Sequence, residues 1–450
     1  MASRECASSA RARSTTRCAR AARCRRPSSA RAASKSSIGA REATTTSASA
    51  SSTSSTWTFD GARAIAPDGA VIAYVSRPDV KFIYDEVYAR GCYDFALGDG
   101  EDAREDADAD ADAGARRVVV DVGANIGLSS VKFARALGND ERAIVVALEP
   151  IPRTYAALRE NLLRLVFSEE EASNGGFADD AFQSNAPFDA VSSLADATPI
   201  GGGPGTGHAR VYAHNVGVGS RSGASIEFTH FPRAAGWSTS SATRDDIETA
   251  ENTERYVFEA LRAESSSSSS TSADAPSPVG LEDNVATFIG RAVRGLILDE
   301  ESRRKTSTPV RRLVSAIAEF ILRRVIRLVV FFMLSGAQVV SRPVVTVSDV
   351  IEAHCTADDV IDLLKIDVER AELDVLRGIR LEHWPRVRRV TLECHDIDGA
   401  LDATVDLLRS EAGFGNVVVD QPPTLRGGTL WNIYASRAPV ARRTQTTLST

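Results

Sequence analysis

From Arg116 onward the chain alternates short apolar runs with segments of helical periodicity. "RRVVVDVG" is followed by "LSSVKFARAL", "AIVVALEP" and "RTYAALRENLLRLV". After an interruption the pattern resumes with "VIDLLKIDV", "ERAELDVLRGI", "VRRVTLECHD" and "ALDATVDLLRSEA". Strands alternating with helices predict an α/β fold, a doubly wound and mostly parallel sheet with crossover helices. The last two runs, "NVVVD" and "LWNIYASR", have no helix between them, so the C-terminal strand should be antiparallel, in a hairpin at the sheet edge.

The flanking patterns differ. "WTFDGARAIAPDGAVIAYVS" places the turn residues Pro67, Asp68 and Gly69 between apolar runs and predicts a small hairpin. Aromatic and apolar residues from Phe82 to Leu97 recur at helical spacing, as in a helix that caps the following domain. The acidic run up to residue 115 has no face to bury and reads as a solvated loop; it lacks the glycine and terminal Glu of a calcium-binding loop. Two stretches, near 168–207 and 251–340, interrupt the α/β pattern and read as insertions. The second contains a serine-rich linker from Ser265 and then the helical segment 311–334. There Leu313, Ile317, Phe320, Ile321, Val325, Leu328, Val329 and Phe332 recur at three-and-four spacing, and Arg323, Arg324 and Arg327 interrupt any apolar span. The helix is expected to be amphipathic, packing on the domain or making peripheral contact with a membrane surface.

Composition adds a leader and excludes a class of partner. Residues 1–56 hold eleven Arg and Lys against two acids, amid Ser, Ala and Thr, with no apolar core of a secretory signal. That is the composition of an organelle transit peptide, chloroplast favoured over mitochondrion, with a basic arm as the alternative. The segment carries +9, so the remainder carries −16 against −7 for the whole chain. An acidic body argues against nucleic acid as a partner. Cys92, Cys355 and Cys394 are too scattered for a disulfide framework, and no metal site is expected. The domain proper is thus expected over 116–437, preceded by the hairpin and cap helix of 57–115 and followed by a disordered tail, 438–450.

In a doubly wound sheet, ligands sit beyond the carboxyl ends of the strands. After the first strand come Asp121, Gly123, Asn125 and Gly127, and after the second comes Glu149, twenty-two residues beyond Gly127. A glycine turn admits close approach of backbone to ligand, and a carboxylate suits a ribose diol. NAD and S-adenosylmethionine both fit those features. The spacing G-x-x-x-G is not the G-x-G-x-x-G of a dinucleotide turn, and an acid beside it disfavours a pyrophosphate but favours a sulfonium and an ammonium.

The longer motif "LLKIDVERAELDVLRGI", Leu363 to Ile379, resembles the hallmark of FkbM-type methyltransferases. "VVDVGANIG", "ALEPIPRTYAALRENL", "HNVGVGS", "FTHFPRAAGWST", "VTVSDVI" and "VTLECHDIDG" accompany it in the family's order, so the resemblance covers most of the chain after residue 82. It implies a Rossmann-like class I fold and S-adenosylmethionine-dependent methylation, generally of a hydroxyl, here on a small molecule, glycan or lipid. By matching position it implies that Asp121, Gly123, Asn125 and Gly127 line the methionyl part, Glu149 the ribose, and His214 and Asn215 the adenine. The family usually has Gly where this chain has Arg370. Asp367, Glu369, Glu393 and His395 end the two later strands; Asp367, Glu369 and His395 are taken as catalytic candidates for activating the hydroxyl. Lys365 is as consistent with pairing to an acid as with touching substrate, Cys394 reads as a buried thiol, and Trp237 as a cover for the site or a packing residue. A binding protein with an inactive methyltransferase fold and an NAD-dependent oxidoreductase remain as alternatives.

Overall fold

The computed structural model describes residues 56–94, 115–167, 190–223, 225–240, 250–255, 309–421 and 425–437. The expected transit segment up to residue 55, the acidic run, the serine-rich linker and the tail from 438 lie outside the described residues.

The N-terminal part is a three-stranded antiparallel sheet of β1 (Thr58–Asp60), β2 (Arg63–Ile65) and β3 (Val71–Ala73). The turn between β2 and β3 uses Gly69 at φ +90°, and the Asp68 carboxylate accepts the Ala70 amide at 3.0 Å. Helix α1 (Arg77–Tyr84) continues into a π turn at Asp85–Ala89. It starts five residues ahead of the aromatic run because Pro78 provides a preformed first turn.

The main sheet comprises β4 (Arg117–Val122), β5 (Ile144–Leu148), β6 (Gly201–Gly203), β7 (His208–His214), β11 (Val360–Ile366), β12 (Arg389–His395), β13 (Asn416–Asp420) and β14 (Leu430–Ser436). Its order is β13-β14-β12-β11-β4-β5-β7-β6. The five central strands are parallel; β14 runs antiparallel between β12 and β13, one place in from the edge, and β6 pairs antiparallel to β7 at the other edge. Helix α4 (Ala190–Ala195) and the short β6 lie within the stretch expected to be an insertion, whose residues 168–189 are outside the description.

Alternate residues of β4 serve two cores. Val118, Val120 and Val122 join Val350 and Ile351 of α6 (Val347–His354) and Val375 and Leu376 of α7 (Glu372–Arg377). Val119 joins Val131 and Phe133 of α2 (Leu128–Leu137) and Leu158 and Leu162 of α3 (Pro152–Val166). The fold is therefore a doubly wound, Rossmann-like one. From β4 the chain moves outward to β5 and β7, then returns on the other side as β11 and β12. The strand order reverses between β4 and β11, which is where such sheets form a crevice. Asn161 of α3, fully buried, ties the N-terminal sheet to this region by bonding both backbone groups of Ala73 and the Ile126 carbonyl.

A smaller sheet joins β8 (Gly217–Val218), β10 (Gln338–Val345) and β9 (Ser225–His230). Before it runs α5 (Pro309–Leu334). This helix packs through Leu322, Ile326, Val330 and Leu334 against Phe231, Ala234 and Ala250. That four-residue stripe is not the face expected from the sequence: Ile317, Phe320, Ile321, Leu328, Val329 and Phe332 are exposed. The apolar residues circle most of the helix, so periodicity alone did not decide which arc meets the body. No helix among the described residues is long and apolar enough to cross a membrane.

Candidate active site

The turn after β4 is held in left-handed backbone geometry at three positions, Gly123 (φ +74°), Asn125 (φ +50°) and Gly127 (φ +83°). The amides of Gly123 and Ala124 both donate to the Leu148 carbonyl at 3.0 Å, fastening the turn to the end of β5. A Cβ on Gly123 would collide with the backbone oxygen of Asp367, so this glycine lets two strand ends touch.

Glu149 is buried and accepts the amides of Asn125 (3.1 Å) and Ile151 (2.8 Å). Burial pushes its carboxyl up to about 7. Asn215 donates to the carbonyls of Glu149 (2.8 Å) and Pro150 (2.9 Å), joining β7 to β5 at the crevice. Asn125 contributes an unmet group: its Oδ1 is buried and has no hydrogen-bond partner, while a Cβ added at Gly236 would lie 3.7 Å from its Nδ2.

Two expected cofactor contacts are corrected. Asp121 is fully buried beneath the turn; its Oδ2 accepts Ser129 Oγ (2.7 Å) and Ser130 Oγ (2.6 Å), and its Oδ1 lies 3.1 Å from Lys365 Nζ. The two-residue strand period turns it inward toward α2, so it anchors the turn without lining the crevice. His214 likewise turns away: its Nε2 is 2.9 Å from Nε2 of His354. Burial lowers the two imidazoles to about 3 and about 4, so both are neutral and one donates to the other.

The second half of the site is a cleft at the ends of β11 and β12. Register places Asp121, Lys365, Thr391 and Tyr434 side by side across four strands, with Glu393 opposite Asn432 one step further along. Glu86, Cys92 and Tyr93 from the N-terminal part close over this row, giving a cavity also lined by Asp367. Lys365 Nζ contacts the Gly123 carbonyl (2.7 Å), Asp121 and, at 3.4 Å, Asp367. Burial alone would lower its pKa, but the two carboxylates more than offset this and raise it. Lys365 is thus a buried strut between carboxylates.

Carboxylates dominate this cleft. Oxygens of Asp367, Glu369 and Glu393 lie within 4.8 Å of one another, a grouping whose donors suit a hard divalent cation and which was not expected from the sequence. Burial, reinforced by the Asp367 charge, raises Glu393 well above the ordinary carboxyl range and Glu86 to about 7. Glu369 is also raised, first by burial. His395 lies between Glu369 (3.3 Å) and Glu372 (3.4 Å). Burial opposes its protonation, yet the two carboxylates raise its pKa well above the usual imidazole value. His395 thus stands beside Glu369 and helps to hold it in place.

Glu369 and Arg370 hold φ of +54° and +81°. Thr239 Oγ1 donates to the Glu369 carbonyl at 2.7 Å, and the Arg370 amide donates to Glu372 at 2.8 Å. Asp79 from α1 accepts the Gly236 amide at 3.3 Å, and burial pushes it to about 6. Trp237 is partly buried and packs with the core beneath α5. Sequence reasoning missed Asp79, Glu86 and Glu372; the first two were signalled only as acids seven apart in an otherwise aromatic helical segment.

A doubly wound sheet whose glycine turn meets a carboxylate after the second strand and an acid-ended later strand defines a Rossmann-like class I methyltransferase fold. The family model described as "Methyltransferase FkbM domain" matches residues 121–414, and the chain belongs to that family. It is 47% identical over 94 residues to "31-O-demethyl-FK506 methyltransferase FkbM" of Streptomyces tacrolimicus, covering 21% of this chain and 35% of that protein. "Methyltransferase sdnD" of Sordaria araneosa is 46% identical over 54 residues, 12% of this chain and 20% of the relative. "Methyltransferase 1" of Beauveria bassiana is 45% identical over 62 residues, 14% and 24% respectively. The chain therefore spans about a third or less of the length of these relatives. No solved structure matches the chain.

Proposed function

We propose that the protein is an S-adenosylmethionine-dependent O-methyltransferase acting on a hydroxyl of a small molecule, glycan or lipid. The observation that carries this reading is the unpartnered, buried Oδ1 of Asn125 at the glycine turn. It is an acceptor awaiting a donor, as the ammonium of the methionyl group would be, on a turn whose Gly123 and Gly127 pack closely against Asp367 and Leu158. Glu149 and Asn215 stand at the adjoining strand ends, where a ribose and a base would extend.

Bound there, S-adenosylmethionine supplies an electrophilic methyl on a cationic sulfur. The chain's task is to position the acceptor in line with it and to take the acceptor's proton. Glu369, whose carboxyl burial raises above its ordinary pKa and which faces His395, is the base, and Asp367 lies beside it. That carboxylate would hold the acceptor O–H and take its proton, while Asn125, Glu149 and Asn215 would hold the methyl donor. The name of the Streptomyces relative places its own reaction at an oxygen, in keeping with this choice.

Calorimetric titration of the full chain with S-adenosylmethionine and S-adenosylhomocysteine tests the reading. Binding of both is expected, weakened about tenfold or more by Asn125→Ala through loss of a hydrogen bond to a charged group. Absence of binding by folded protein would overturn it.

A further inference from the structure

Helix α5 stands on the body through one stripe and presents the opposite arc outward. Phe320 is 59% exposed, Leu328 68%, Phe331 70% and Phe332 61%, with Ile321 between them. At 100° per residue these side chains span about 120°, roughly a third of the helix circumference, wider than the narrow two-position seam that a partner helix occupies. Val339 of β10, 63% exposed, lies just beyond the helix end.

The charges on this helix are one-sided. It carries five arginines, Arg311, Arg312, Arg323, Arg324 and Arg327, against one acid, Glu319. Arg323 and Arg327 are neutralised on the flank by Glu254, at 2.8 and 2.7 Å. Arg324 and Arg233 are placed differently: their guanidinium groups lie over the rings of Phe320 (5.1 Å) and Phe332 (4.6 Å), and among the described residues neither meets a carboxylate. Exposed aromatic rings with an unneutralised arginine on each match the layering of a bilayer surface, where acyl chains lie below anionic headgroups.

We infer that this arc of α5, with Arg324 and Arg233, docks on the surface of an anionic lipid bilayer. The helix lies in the interface, consistent with its being too charged to span. Docking would also place the active site close to the lipid. The buried side of α5 packs on Phe231 and Ala234, at the start of the loop whose Gly236 approaches Asn125 and whose Thr239 holds the Glu369 carbonyl. The inference stands independently of the methyl-transfer reading, since neither arginine nor any exposed apolar residue belongs to the crevice or the cleft.

Co-sedimentation of the full chain with vesicles tests it, using phosphatidylcholine alone or with about one-third phosphatidylglycerol. The pair of substitutions Leu328→Ser and Phe331→Ser alters no charge, so the arginine-rich N-terminal segment acts equally in both proteins. Wild type is expected to partition at least about tenfold more strongly onto the anionic vesicles than onto the neutral ones, and the double variant to lose about tenfold or more of that binding. Arg324→Gln should lose a few-fold, about one headgroup interaction. An unchanged melting temperature in the variants confirms that folding is intact. Equal partitioning of wild type and double variant overturns the inference. So does a lipid-free dimer that the double variant converts to monomer, which would assign the arc to a second copy of the chain.

Discussion

Two turns face each other across the switch point of the sheet, and they handle left-handed backbone differently. The turn after β4 places Gly123, Asn125 and Gly127 at positive φ, residue types that accept it at little cost. The turn after β11 places Glu369 and Arg370 there, which do not. The first turn is shaped by backbone that packs closely on its neighbours; the second is strained and presents side chains. A chain that spends strain on one side only indicates where exact side-chain placement matters, namely the acidic cleft.

Lys365 joins the two turns, bonding the Gly123 carbonyl on one side and lying against Asp367 on the other. Lys365→Met would leave Asp121, which is fully buried, without its cation. A loss of about 3–5 kcal/mol is expected, because an uncompensated buried charge remains. Urea unfolding measures it; a loss under about 1 kcal/mol would mean that the two turns are not joined electrostatically.

Glu369→Gln tests the cleft alone. With a hydroxyl acceptor that supports turnover, kcat should fall about 100-fold or more, while S-adenosylhomocysteine affinity is unchanged. The sign of the pH dependence follows from the role: a base acts as carboxylate, so wild-type kcat should drop as pH falls through the raised pKa of Glu369. The glutamine variant should lose that limb, and retention of the same profile would move the proton transfer to another group.

The difference between the turns also explains what could be read in the sequence. Apolar runs and helical periods gave the sheet, and the residues of the first turn are contiguous, so Gly123, Asn125 and Gly127 were legible together. The cleft was legible only in part. Asp367, Glu369 and His395 stand at the ends of their strands, but Glu86 reaches Asp367 from the N-terminal part, about 280 residues away in sequence, by tertiary packing. Protonation was not legible either. The pKa of His395 is raised by Glu369 and also by Glu372, a helix residue that faces it. Asp121 turned inward because strand period outranked the motif, and the face of α5 was misjudged because its apolar residues lie on more than one side.

Arg370 sharpens the contrast at the smallest scale. Its φ of +81° is a value glycine adopts freely, which gives a physical reason for the glycine usual at this position in the family. A side chain in that conformation costs about 1–2 kcal/mol, and glycine returns part of this through its more flexible unfolded chain. Arg370→Gly should therefore raise stability by about 1 kcal/mol or less, read as a shift in the urea midpoint at constant slope. Cofactor affinity should stay the same, since the crevice is built by the other turn. A fall in stability would show that contacts of the arginine side chain outweigh the strain. A fall in turnover at unchanged stability would instead make Arg370 a group that positions the acceptor, with the strained turn kept to aim it.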